Sequence, residues 1–432
     1  QRQRVEIYHT YAKSLVERGL AYPCFCTEEE LDKVRAKQEE DKVLTGYYGE
    51  YATCRNLSYE EIEANIKAGK PYVLRLRSQG SPDKEITFVD AIKGEIKLPE
   101  NIHDIVLLKK DGIPTYHFAH AIDDHLMRTT TVVRGGEWLA SAPIHYELFH
   151  LLGFKMPAYA HTAHLMKFDE ETGGKRKLSK RKDPELSLDY YRKDGYHPYT
   201  MKVYLLTLLN SNFEEWHEKF PDKDINEFPF SVEKMNQSGA LFDKDKLHNI
   251  CKNELSKLSE EELYDFLYDW AKENEPENVE KWFGDREKML QILRLYMGVG
   301  AKRRRKDLMY AKQIFELISY FFDGESAEEM DEFKLDEDMV SKILKSYLAK
   351  YDHNDDNSVW FNKLKEIADE HGFASDMKAY KANPENFKGN VSDIAEAVRI
   401  AVTGRANTPD LWTIVHIMGE EQMTERIKKH IK

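Results

Sequence analysis

The chain has 432 residues, 41% of them hydrophobic and 33% charged, with 64 Lys and Arg against 77 Asp and Glu for a net charge of −13. That length predicts roughly two to four domains, and the acidic balance argues against nonspecific DNA coating, because the overall field repels phosphate and leaves only local basic patches for nucleic acid. Four cysteines give no disulfide framework and fit a reducing, cytoplasmic setting, while no apolar run approaches the roughly eighteen residues that span a membrane.

In chain order, Val5, Tyr8, Ala12 and Leu15 recur at helical spacing, and Gly19 offers a stop. Cys24, Cys26 and Cys54 fall within thirty-one residues. Thiolates so spaced close on Zn²⁺ if a fourth ligand exists. No His follows Cys54 closely, so Tyr48 or Tyr51 is left to serve; the other reading is three small buried hydrophobes. Thr27 with Glu30 and Ser58 with Glu61 are capping boxes. Short strands follow at 72–77, 86–90, 95–98 and 105–109, separated by Gly, Pro and Asp turns, and make a small α+β insertion. Arg75 and Arg77 suit phosphate or a solvated edge equally well.

A turn at Asp111-Gly112 opens the block DGIPTYHFAHAIDDHLMRTTTVVRGGEWLASAPIHYELFHLLG, residues 111–153. His117 and His125 within it read as packing or helix-face histidines. Residues 160–167, AHTAHLMK, read as one strand with His161 and His164 on opposite faces, which argues against a shared metal. Then comes GGKRKLSKRK at 173–182. Six of the eight residues from Lys175 to Lys182 are basic and two glycines precede them, which reads as a mobile, positively charged loop. A charge pair at about 4 Å is worth roughly 4 kcal/mol at an effective dielectric near 20. Two or three lysines closing on a triphosphate would offset the charge that builds as pyrophosphate leaves.

Beyond Pro184 the chain reads as mostly helical, and from Asn249 no strand-rich stretch occurs. Ser259 and Glu262 form a capping box with Leu258 and Leu263 as its hydrophobic staple. Gly404 stops one helix, and Thr408 caps the next with Pro409 at its first position. The run KRRRK at 302–306 reads as a phosphate track or as a solvated helix face, and the acidic stretches near Glu260 and Asp331 should lie away from RNA. Cys251 reads as structural.

The core of the basic loop, KLSKR at 177–181, resembles the KMSKS loop of class I aminoacyl-tRNA synthetases, and residues 111–153 are similar to the second half of the glutamyl-tRNA synthetase catalytic domain. The likeness extends over most of the chain. It implies a multidomain α/β plus all-α protein. The second part of a Rossmann-type catalytic domain would occupy 1–22 and 103–170, and an acceptor-binding α+β insertion with a zinc knuckle 23–102. The KMSKS-type loop and stem-contact domain would take 171–250, and an α-helical anticodon-binding region 251–432. No HxGH tetrapeptide occurs, so the front of the catalytic domain, on the order of 70 to 110 residues, is expected to be missing. The helical tail fits the bacterial type.

The same resemblance implies site roles. Tyr116, His120 and Arg134 would line the amino-acid pocket; Glu137, Trp138, the backbone of Leu165 and Lys180 would contact ATP; Lys177, Ser179 and Lys180 would be catalytic; Cys24, Cys26 and Cys54 would hold zinc. Two departures stand out. YHFAH puts His120 where many relatives have Asn, and RGGEW puts Gly136 where an acidic residue is common. The implied reaction is ATP- and Mg²⁺-dependent activation of L-glutamate and transfer to tRNA(Glu), with tRNA(Gln) a further acceptor to be tested and a monomer as the default state. The alternative is a tRNA-binding fragment or paralogue without ligase activity.

Overall fold

The computed structural model describes residues 1–169, 171–322 and 330–432; residue 170, where the sequence reading ends one domain, lies outside them. Two compact units result, Gln1–Leu178 with Leu206–Phe242 and Ser179–Leu205 with Asp243–Lys432. The fold class is as expected: an α/β part and an all-α part.

The strands of the first unit are β1 (Ala21–Cys24), β2 (Val73–Leu76), β3 (Glu85–Asp90), β4 (Gly94–Pro99), β5 (Val106–Leu108), β6 (Thr131–Gly135), β7 (Ala158–Thr162), β8 (Leu165–Phe168), β9 (Lys175–Lys177) and β10 (Ala240–Leu241). Its main helices are α1 (Val5–Glu17), α2 (Glu28–Glu40), α3 (Tyr59–Lys67), α4 (Tyr116–Leu126) and α5 (Ala142–Leu152). Tyr8, Ala12 and Leu15 of α1 are buried on one face, and both expected capping boxes start α2 and α3. The four strands expected between 72 and 109 are present, displaced by at most one residue at either end. They divide between sheets: β2 lies between β1 and β5, whereas the β3–β4 hairpin continues the order β4-β3-β7-β6.

Two expectations change here. Residues 160–167 are not one strand. β7 ends where its parallel partner β6 ends, at Gly135 opposite Thr162, and the chain bends at Ala163-His164 into β8, which belongs to the sheet β10-β8-β9. The basic segment is also not a loop throughout. Lys175–Lys177 is β9, antiparallel to β8 with Lys177 opposite Met166, so loop begins only at Leu178.

In the second unit, among the described residues, helices from Lys244–Leu255 to Glu420–Lys428 pack on one core and no strand occurs. The capping box of Ser259 and Glu262 is present, and both staple leucines reach the core. The last-but-one helix, Leu411–Met418, is capped by Asp410, whose carboxylate accepts the Thr413 N–H, and not by Thr408, whose hydroxyl donates to the Pro409 carbonyl. A carboxylate one residue before the first turn reaches the free N–H groups; Thr408 lies too far back. KRRRK is neither helical nor bare. It is an irregular segment in which Arg305 pairs with Asp307 and Lys306 donates to Asn253. Glu260 is paired at 2.9 Å with Arg294.

Candidate active site

The site begins with strand register. β6 and β7 run parallel with Arg134 opposite His161, and β3 meets β7 at Asp90 opposite Tyr159. Residues in register on neighbouring strands project to the same face, so an acid, a phenol, an imidazole and a guanidinium converge. The Asp90 carboxylate takes the His161 ring Nδ1 at 2.6 Å and the backbone N–H groups of Ile92, Lys93 and His161. Burial alone would raise its pKa, yet these donors hold it below the usual carboxylate range. Across the ring, His161 Nε2 lies 2.9 Å from Arg134 Nε, which can only donate. His161 is therefore neutral with its proton on Nδ1, and burial lowers its pKa.

Arg134 makes two further bonds, to His145 Nδ1 at 3.1 Å and to the Trp138 carbonyl at 3.3 Å. Its guanidinium sits 4.7 Å from the Tyr159 ring centre. His145, fully buried on α5, accepts from the arginine through Nδ1 and so donates through Nε2 to His117 Nδ1 at 2.9 Å. Burial first, and neighbouring positive charge second, push His145 down to about 2. His120 bridges Asp124 at 2.6 Å and the Tyr159 hydroxyl at 2.7 Å, and burial lowers it to about 4 against the pull of Asp124.

Of the residues expected in the amino-acid pocket, Tyr116, His120 and Arg134 are brought together. Tyr116 stacks on His120 at 9° and packs 4.6 Å from Trp138. Glu137 and Trp138 lie in a 3-10 segment, Gly136–Ser141, that precedes α5 and is not its first turn. A Cβ at Gly136 would stand 3.2 Å from the Thr162 carbonyl, so a side chain there would require the end of β7 to give by a few tenths of an ångström. Glu137 lies 3.5 Å from His164 Nε2, and Lys177 Nζ lies 3.4 Å from the same nitrogen. The Leu165 carbonyl accepts the Leu178 N–H at 3.0 Å. Ser179 and Lys180 belong to the second unit. There the Ser179 N–H donates to the Asp183 carboxylate at 2.8 Å and Lys180 is exposed.

Asp90, His145 and Tyr159 were not singled out from sequence, His117 was assigned only to packing, and His161 was placed only by strand face. His125 does pack, flat on Phe154 at 3.6 Å. α5 also reaches away from this cluster. Glu147 accepts from the Gln79 N–H at 2.6 Å, from the Asn101 amide at 2.6 Å and from the Ser78 hydroxyl at 3.0 Å. Burial raises its pKa despite those donors.

The three cysteine sulfurs lie within 4.8 Å of one another, with Cys26 and Cys54 at 3.5 Å. Zn–S bonds of about 2.3 Å in a tetrahedron set sulfurs about 3.8 Å apart, so the trio fits a zinc ion. Two hydroxyls stand beside them: that of Tyr47, 3.4 Å from Cys24 Sγ and 3.3 Å from Cys26 Sγ, and that of Thr53, 3.3 Å from Cys26 Sγ alone. Tyr48 and Tyr51, the expected candidates, turn instead to the Leu44 carbonyl and the Asp41 carboxylate. Hydrogen bonds from Cys26 and Cys54 lower the Cys24 thiol, while burial raises the Tyr47 phenol.

The model of the class I tRNA synthetases (E and Q), catalytic domain, matches residues 1–249, and that of an anticodon binding domain matches 262–431. The chain is 53% identical to a glutamate–tRNA ligase of Acetivibrio thermocellus over 99% of its own length and 78% of the relative's. It is 46% identical to one of Clostridium perfringens over 100% and 78%. A solved glutamate tRNA ligase of Elizabethkingia meningosepticum, crystallised with its amino acid, superposes with a TM-score of 0.76 at 26% identity, covering 100% of this chain and 83% of that one. An α/β unit built around a held arginine, a basic KLSKR segment and a helical anticodon-binding region, matched along nearly the whole chain by these ligases, make this chain a member of the glutamate–tRNA ligase family of class I tRNA synthetases.

Proposed function

We propose that this chain activates L-glutamate with ATP and transfers it to the terminal ribose of tRNA(Glu), with Arg134 taking a glutamate carboxylate in a pocket also lined by Tyr116 and His120. The observation that carries this reading is the state of Arg134. Of its five N–H groups, those to His161, His145 and Trp138 are engaged, which leaves one on each terminal nitrogen for an incoming carboxylate. A carboxylate oxygen of the α-carboxyl attacks the α-phosphorus of ATP and pyrophosphate leaves. A ribose hydroxyl of the tRNA then attacks the adenylate carbonyl and AMP leaves. No covalent enzyme nucleophile takes part; positioning and charge do the catalysis.

Glu137, Trp138 and the Leu165 backbone are the proposed ATP contacts, and Lys177, Ser179 and Lys180 the groups that meet the phosphates. Mg²⁺ would enter with ATP and neutralise phosphate charge. Cys24, Cys26 and Cys54, with the Tyr47 hydroxyl against two of the three sulfurs, would hold a structural zinc ion in the 23–102 region that would receive the acceptor end. The remaining ranges keep their proposed tasks: 1–22 with 103–170 for amino acid and ATP, 171–250 for the stem and 251–432 for the anticodon arm, with KRRRK as its phosphate track. We place the protein in the cytoplasm as a monomer, with no DNA or membrane partner.

The test is transfer of labelled glutamate, with glutamine in parallel, to purified tRNA(Glu) and tRNA(Gln) by the full-length protein. Glutamate charging of tRNA(Glu) is the expected result, and charging of the second acceptor would widen the substrate range. Binding of tRNA without charging would reduce the protein to a binding module.

A further inference from the structure

The strongest unassigned feature is the buried pair behind Arg134. Asp90 and His161 have fully buried side chains 2.6 Å apart. We infer that Asp90 and His161 are positioning residues for the arginine: Asp90 fixes the His161 tautomer, and His161 holds the Nε edge of Arg134 so that its two unengaged N–H groups meet the substrate carboxylate. The inference rests on the reading of Arg134 as the carboxylate-binding group.

The argument is one of donors and acceptors. Arg134 Nε carries a hydrogen and cannot accept. Its partner must present a bare nitrogen, and His161 does so only while its proton sits on Nδ1, facing the Asp90 carboxylate at 2.6 Å. Asp90 is itself fixed by three backbone N–H groups, from Ile92, Lys93 and His161. Its orientation is thus set by the strand end and the turn after it. On the other side, His145 accepts from a terminal nitrogen of the same guanidinium and donates its own Nε2–H to His117 Nδ1. Held from two sides by uncharged acceptors, the guanidinium keeps its full positive charge. A carboxylate in place of either histidine would compete with the substrate for that charge.

The test uses the full-length protein and measures glutamate charging at varied glutamate and varied ATP. His161→Phe removes the acceptor, and Asp90→Asn admits an amide that can donate to Nδ1 and drive the proton to Nε2. Each should raise the glutamate KM by roughly tenfold to a hundredfold while the ATP KM and kcat stay near the parent values. His161→Gln, whose amide oxygen can accept from Nε, should restore much of the loss, which a merely structural role would not. Arg134→Gln serves as the control for the reading underneath. If it leaves the glutamate KM unchanged, Arg134 is not the carboxylate group and both ideas fall. If it raises the KM while His161→Phe and Asp90→Asn do not, only the positioning role falls. ¹⁵N NMR of the parent protein gives a check that needs no buried variant. A His161 ring protonated on Nδ1 and bare at Nε2 is expected, and a proton on Nε2 would overturn the inference.

Discussion

The backbone N–H of Leu178 donates to the carbonyl of Leu165 at 3.0 Å, and the Leu178 side chain is 2% exposed. Strand pairing therefore runs into the first two residues of the KLSKR segment, and a buried leucine anchors it there. Lys177 stands just before that anchor and Lys180 two residues after it. Replacing Lys180 with Ala should lower glutamate activation by roughly 10² to 10³ while tRNA affinity stays nearly constant. Pyrophosphate exchange together with a filter-binding titration separates the two effects. Activation at the parent rate would remove Lys180 from the chemistry.

The cysteine cluster makes a separate prediction about metal. Protein purified without chelator should carry about one zinc per chain by elemental analysis. Stripping it should lower the melting temperature and expose Cys26 and Cys54 to thiol reagents. Tyr47→Phe should weaken the metal, whereas Tyr48→Phe and Tyr51→Phe should not, because of these three tyrosines it is Tyr47 whose hydroxyl meets the sulfurs. Metal-free protein with unchanged stability would leave the trio as packing.

His120 predicts how stability responds to acid. Burial holds it near 4 in the folded chain, against about 6.5 unfolded. Between those values the unfolded chain binds more protons, so folding weakens as pH falls. The contribution of His120 is complete above pH 6.5 and is lost toward pH 4, by about 3 kcal/mol over the full window. Asp123 and Asp124 oppose the shift, while Arg134 and His117 reinforce it. His120→Asn should flatten the decline in melting temperature between pH 6.5 and 4 relative to the parent; a parallel decline would show that His120 does not titrate there.

The helix Leu411–Met418 tests the reassigned cap. Asp410→Ala removes the acceptor for the Thr413 N–H and should cost about 1 kcal/mol. Thr408→Ala should cost much less, since its hydroxyl meets only the Pro409 carbonyl. Urea unfolding followed by far-ultraviolet circular dichroism would order the two variants, and the reverse order would restore Thr408 as the cap.

What could be read in the sequence was local. The strands between 72 and 109 are bounded by Gly, Pro and Asp, and their ends came within one residue. The capping boxes at Thr27, Ser58 and Ser259 need only a spacing of three. AHTAHLMK contains no breaker, so its bend at Ala163-His164 is set by where its partner strand stops and leaves no mark in composition. The reading of the cysteines offered Tyr48 or Tyr51 and passed over Tyr47, because spacing alone does not tell which of these tyrosines turns toward the sulfurs. Asp90 and His161 are 71 residues apart, and His145 meets His117 across two helices. Such pairs arise from register, which single residues do not announce. Arg134 was legible only because the resemblance covered RGGEW; the atoms that hold it were not.

α5 has a consequence for the enzyme's tolerance to change. His145 faces the arginine, and Glu147, two residues on and so about 200° around the helix, faces Ser78, Gln79 and Asn101. A short helix moves as a rod, and a drift on one side is reproduced on the other. The sharpness of amino-acid choice is therefore inherited in part from a polar knot that no substrate touches. Residues such as Asn101 should prove as intolerant of substitution as those lining the pocket itself.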